Sequence, residues 1–61
     1  MDTFMKCKDF KNGNSVIFEK NYAWYVVKLY LGTELHDKII CDTYSSARDY
    51  YRAFSAIAKN H

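Results

Sequence analysis

Nine of the ten residues from Tyr22 to Leu31 are apolar or aromatic, with Lys28 the only charge, and no other stretch of the chain restricts the fold as much. The segment is rich in β-branched and aromatic side chains, which suit a pleated, packed surface. A run this apolar is typical of a central strand covered on both faces, although periodicity by itself does not separate it from a buried helix. Read as a strand, it places Ala23, Tyr25, Val27, Leu29 and Leu31 on one side and Tyr22, Trp24, Val26, Lys28 and Tyr30 on the other. The rest of the chain must then supply cover for two faces.

The neighbouring segments read as further strands. Lys11-Asn12-Gly13-Asn14 contains the Asn-Gly pair that tolerates positive φ at both centres of a type I′ hairpin turn. Ser15–Lys20 follows it as a strand, and Thr3–Phe10 precedes it with weaker propensity. A second turn falls near Lys20-Asn21, and Gly32-Thr33-Glu34 leads into a strand over Leu35–Asp42. From Thr43 the period changes. Ala47, Tyr50, Tyr51, Phe54, Ile57 and Ala58 recur at spacings of three and four, so they share one face of a helix, while Arg48, Asp49, Arg52, Ser55 and Lys59 face water. Thr43, Ser45 or Ser46 can serve as N-cap, and Ser46 with Asp49 fits a capping box. The expected fold class is therefore α+β, one small domain over residues 1–61. It is a three-stranded antiparallel meander, four-stranded if the N-terminal segment pairs, with one C-terminal helix packed on one face.

Sixty-one residues leave room for one core. Chains below about 70 residues sit near the balance between burial and ordering entropy, so a partner subunit is one way for such a chain to gain stability, and a homodimer is an open alternative. With 49% hydrophobic and 18% aromatic residues the chain is globular rather than disordered. No window reaches the roughly 18 apolar residues of a membrane span, and Met1-Asp2-Thr3-Phe4-Met5-Lys6 lacks the pattern of a secretory signal, so the expected location is cytoplasmic. In that reducing setting Cys7 and Cys41 are expected as free, half-buried thiols.

A single helix covers a single sheet face, so the second set of central-strand residues faces outward. Two or three large aromatics with aliphatic neighbours exceed the contiguous apolar area that a soluble monomer normally displays. The expected contact surface is Trp24, Val26, Lys28 and Tyr30, with Phe18, Lys38 and Ile40 as rim, Val16, Lys20 and His36 being further neighbours considered for it. Three occupants fit. A protein partner suits the Trp and Tyr content, since these residues bury large areas at low entropic cost. Nucleic acid would stack on the aromatics while Lys20, Lys28 and Lys38 meet phosphates. Burial within the protein is the third, under Phe4, Met5 and Phe10 or against a second copy of the same face.

The order strand, strand, strand, helix, with Trp24 in mid-sheet and Asp42-Thr43 leading into an alanine-bearing helix, resembles the arm-type domains of phage integrases and the plant AP2 domain over residues 15–60. That resemblance implies a nucleic-acid-binding domain that lays its free sheet face in the DNA major groove. In general style, short, Tyr- and Lys-rich and without proline, the chain is similar to small accessory proteins of bacteriophages. Nine Lys and Arg against seven Asp and Glu, a pI near 8.6 and no basic run are weaker than a dedicated DNA binder usually carries.

Catalysis is not expected. The candidate groups are His36, His61, two cysteines and seven carboxylates. Adjacent strand residues His36 and Asp37 point to opposite faces and so do not form a base with its orienting carboxylate. No nucleophile elbow, phosphate-binding glycine loop or HExxH helix is present, and no cysteine or histidine pair has zinc-ligand spacing, so neither cofactor nor metal is expected. Arg48 and Arg52, one helical turn apart, can form a small anion-facing pair. The resulting expectation is a non-enzymatic module that binds a host protein stoichiometrically through its aromatic sheet face, in the manner of a phage-type accessory or inhibitor. The alternatives are nucleic acid on the same face and a structural homodimer.

Overall fold

The computed structural model describes the backbone of residues 3–61 and the side chains of residues 6–61. Four strands, β1 (Thr3–Asp9), β2 (Ser15–Lys20), β3 (Tyr25–Leu31) and β4 (Glu34–Cys41), form one antiparallel sheet in the order β1-β2-β3-β4. The helix α1 (Tyr44–Asn60) packs across β2, β3 and β4. The N-terminal segment thus pairs, and the fold is the four-stranded form of the expected meander. Both outer strands carry charge, Lys6, Lys8 and Asp9 on β1 and Glu34, Asp37 and Lys38 on β4, which guards their unpaired backbone groups against a further strand.

The core lies between α1 and one face of the sheet. Val16, Phe18, Val27 and Leu29 are fully enclosed there, joined by Cys41, Ala47, Phe54 and Ala58. Ala47 and Ala58, without side-chain bulk, let the helix axis approach the strands. Full burial of each large side chain contributes about 1.5–3 kcal/mol. Tyr25, Tyr44 and Tyr51 ring Phe18 at centroid distances of 5.6–6.1 Å. Tyr50 and Ile57, expected in this interface, are instead substantially exposed, because they lie on the flank of α1 that overhangs edge strand β4.

The turns differ from the sequence expectation in instructive ways. At residues 11–13 only Gly13 has positive φ, +90°, whereas a type I′ turn needs two such residues. Phe10 N–H donates to Asn14 O at 2.9 Å and Gly13 N–H to Phe10 O at 3.0 Å, closing a three-residue loop. Asn12 keeps an ordinary φ, since a three-residue loop of this kind needs only its last residue, Gly13, in the left-handed region. Asn12 Oδ1 accepts from Asn14 N–H and its Nδ2 donates to Ala58 O at 2.7 Å. Asn14, 6% exposed, donates from Nδ2 to Ala58 O at 3.1 Å and accepts at Oδ1 from Gly32 N–H at 2.9 Å. Two asparagines therefore fasten the first hairpin to the last turn of α1 and to the β3–β4 turn. In that turn Gly32 alone has positive φ, +66°, the pattern of a type II′ connection.

The helix begins where expected but is capped differently. Thr43, extended at φ −123°, ψ 152°, is the N-cap, and its Oγ1 accepts from Ser46 N–H at 3.2 Å. Ser46 is then the third helical residue, so the Ser46–Asp49 capping box does not form. Ser55, expected in water, is half-buried and donates from Oγ to Tyr51 O at 2.7 Å.

Candidate binding face

The face of the sheet opposite α1 is assembled by strand register. Phe18 stands opposite Val27, and both point into the core. Their neighbours Ile17, Glu19, Val26 and Lys28 therefore point the other way. Across β4, Ile40 stands opposite Val26, Lys38 opposite Lys28 and Leu35 opposite Tyr30. The extra residue that makes this last pairing possible is His36, at a register shift beside Leu29 and Tyr30.

Of the expected contact residues, Val26, Lys28, Tyr30, Lys38 and Ile40 stand on this face by register, and Trp24 lies at its margin, immediately ahead of β3. Phe18 does not. It is enclosed under the helix together with Val16, and Lys20 also lies on the helix side, its Nζ 5.5 Å from the Tyr25 ring centroid. An antiparallel partner of Val27 must share Val27's face, which is what removes Phe18 from the rim. Ile17, Glu19 and Leu35 are the residues that sequence reasoning missed. Trp24 precedes β3 rather than sitting in mid-strand, in a turn where Asn21 N–H donates to Trp24 O at 2.8 Å. Tyr22 occupies that turn and is 88% exposed.

No helix lies over this face, yet it is not uniformly open. Val26 is only 7% exposed, although it stands outside the core cluster. Beside it Lys28 Nζ meets Glu19 Oε1 at 2.9 Å. Trp24 at 40%, Leu35 at 49% and Ile40 at 57% exposure carry apolar surface outward around this centre, with Tyr30 half-buried. The side chains of Phe4 and Met5, expected as a lid, lie outside the described residues. Phe10 packs against the core on the helix side and does not cover Trp24.

Three titratable groups are shifted by their surroundings. Partial desolvation and then Asp9 push the Cys7 thiol above its usual range, and burial followed by Asp42 does the same for Cys41. Both shifts oppose thiolate formation, whereas a nucleophilic cysteine is tuned the other way. Cys7 is exposed and Cys41 buried, and both are free. Burial, then Cys7, raises the Tyr51 phenol. His36 and His61 approach to 6.3 Å between ring centroids. Among the described residues no three His, Cys, Asp or Glu side chains gather closely enough to hold a metal ion, and no helix is long and apolar enough to cross a membrane. No protein-family model, no curated protein and no solved structure matches this chain, so the likeness to integrase arm-type and AP2 domains stands on element order alone.

Proposed function

We propose that this protein is a non-catalytic binding module whose uncovered sheet face docks on another protein, in the manner of a small phage-type accessory or inhibitor. The observation that carries the reading is the apolar surface presented by Trp24, Leu35 and Ile40 on the face that α1 leaves bare. Interfaces of this kind place buried aromatic anchors at the centre and polar groups at the edge. Here Trp24 and Tyr30 are the anchors, Val26 the floor, Ile17, Leu35 and Ile40 the aliphatic surround, and Lys28 and Lys38 the polar element. The fitting counterpart is a flat apolar patch edged by carboxylates.

The test compares the wild type with Trp24→Ala and Ile40→Glu variants in affinity capture, with light-scattering mass and circular dichroism in parallel. Loss of a captured partner with secondary structure and melting unchanged supports the reading. A wild-type dimer that Ile40→Glu converts to monomer assigns the face to a second copy of the chain instead. Loss of folding in Trp24→Ala would assign that side chain to the core and defeat the proposal.

A further inference from the structure

The cations of this protein are distributed unevenly over its two sides. Of nine Lys and Arg, only Lys28 and Lys38 stand on the uncovered sheet face. The helix packs chiefly on β2, β3 and β4, so the helix-side residues of edge strand β1 and the adjacent flank of α1 face each other as the two walls of a trough. Lys6 and Lys8, opposite the core residues Phe18 and Val16, rise along its strand wall. Lys6 Nζ lies 5.7 Å from the centroid of Tyr51, which fixes Tyr51's side of the helix as the facing wall. Arg48, Arg52 and Lys59 follow on that flank by helical periodicity. Lys20 stands at one end, and at the other Lys59 and Lys11 line a shallow depression of about 400 Å³ with Phe10 and Asn12.

Three features point to the ligand. All these cations are exposed, and among the described residues the only carboxylate that meets one of them is Asp49, 4.0 Å from Arg48 at the rim. Of the other described acidic groups, Asp9 and Glu19 are on the opposite face, Glu34 and Asp37 along β4, and Asp42 at the turn into α1. Lys6 and Lys8 stand about 6–7 Å apart, two residues along a strand, and Arg48 and Arg52 about 6 Å apart, one turn along a helix, with Lys59 two further turns on. Aromatic rings lie among the charges. Tyr51, on the helix wall, and Phe10 are half-buried, with Lys6 Nζ and Lys8 Nζ over their rings at 5.7 and 5.5 Å, and Tyr44, 40% exposed, stands beside Tyr25 at a centroid distance of 5.8 Å.

We infer that this trough binds single-stranded nucleic acid, its two basic walls following the phosphates while unpaired bases stack on Tyr44. Cationic grooves with aromatic platforms are how proteins hold single strands without sequence preference, and the bases of a duplex, already stacked, do not reach such a platform. The site is on the opposite side from Trp24 and Ile40, so it does not depend on the protein-binding reading.

Fluorescence anisotropy with a labelled oligothymidylate tests it. If four cations engage phosphates, affinity falls about 50-fold between 50 and 200 mM salt, since the log–log slope is about −0.7 per single-strand phosphate neutralised. Lys6→Gln and Arg52→Gln each flatten the slope by about 0.7, whereas Lys28→Gln, Lys38→Gln and Ile40→Glu leave binding unchanged. Tyr44→Ala weakens oligothymidylate binding about tenfold, Tyr44→Phe restores it, and heparin binding is unmoved by either. Absence of binding at low salt overturns the inference. So does equal affinity for duplex, for polyglutamate, or for heparin with no effect of Tyr44→Ala, which would leave a general polyanion or an acidic protein as the ligand. Circular dichroism of each variant separates lost contact from lost folding.

Discussion

The two faces of the sheet are built from the same four strands and behave as different materials. Toward α1, Val16, Phe18, Val27 and Leu29 are sealed, and aromatic rings close around Phe18. Away from it, one residue along each strand, Val26 is buried outside the core cluster, and Trp24 and Ile40 remain substantially open. The covered side is optimised for packing. The uncovered side tolerates features that cost stability, including Lys28 and Lys38 directly opposite one another, a like-charge pair that Glu19 only partly offsets.

The contrast can be broken by mutation. Phe18→Ala removes the largest enclosed side chain and should cost about 3–5 kcal/mol, comparable to the whole stability of a domain this size, so thermal melting by circular dichroism should lose its cooperative transition. Ile40→Ala on the other face should cost under about 1 kcal/mol by the same measurement, because an exposed side chain leaves no cavity. Equal costs would mean that the two faces are not distinct. Asn14→Ala strands Gly32 N–H and weakens the end of α1, an expected loss of about 1–3 kcal/mol in urea unfolding.

Smaller effects sharpen the picture. Lys38→Thr should stabilise by a few tenths of a kcal/mol in the same urea titration, having removed the like-charge opposition to Lys28. The two thiols report on the faces without changing stability: iodoacetamide should label Cys7 in the folded protein and Cys41 only after denaturation. Because both thiols and Tyr51 titrate above their usual ranges when folded, the unfolded chain loses these protons first. Stability is therefore fully present below the unfolded thiol range and should decline as pH rises through about 8.5 and beyond.

Much of the fold was legible in the sequence because its signals were redundant. The run from Tyr22 to Leu31, the 3.6-residue period after Thr43 and the glycines at 13 and 32 each mark an element independently of the others. What remained hidden was long-range. No local pattern reveals that Asn12 and Asn14 reach 44 and more residues along the chain to cap a helix. The candidate face was legible in part. Its β3 residues followed from alternation, but Phe18 was misplaced even though hairpin arithmetic carried the answer. A loop of two residues or of four pairs even-numbered positions of Ser15–Lys20 with odd-numbered positions of the next strand, which puts Phe18 with Val27 and Ile17 with Lys28. The basic trough escaped notice because its walls come from opposite ends of the sequence, and charges scattered along a chain reveal their grouping only once the strands are in place.

The asparagine fastening has a consequence for how this molecule comes apart. A terminal helix ordinarily frays from its free end, one turn at a time, without disturbing the sheet beneath it. Here the Ala58 carbonyl is gripped by both Asn12 and Asn14, and Asn14 also holds Gly32. Peeling back the last turn of the helix releases both hairpin bends at once. Amide hydrogens of Gly32 and of the helix terminus should thus exchange with solvent at a common rate, as members of one cooperative unit that spans nearly the whole chain.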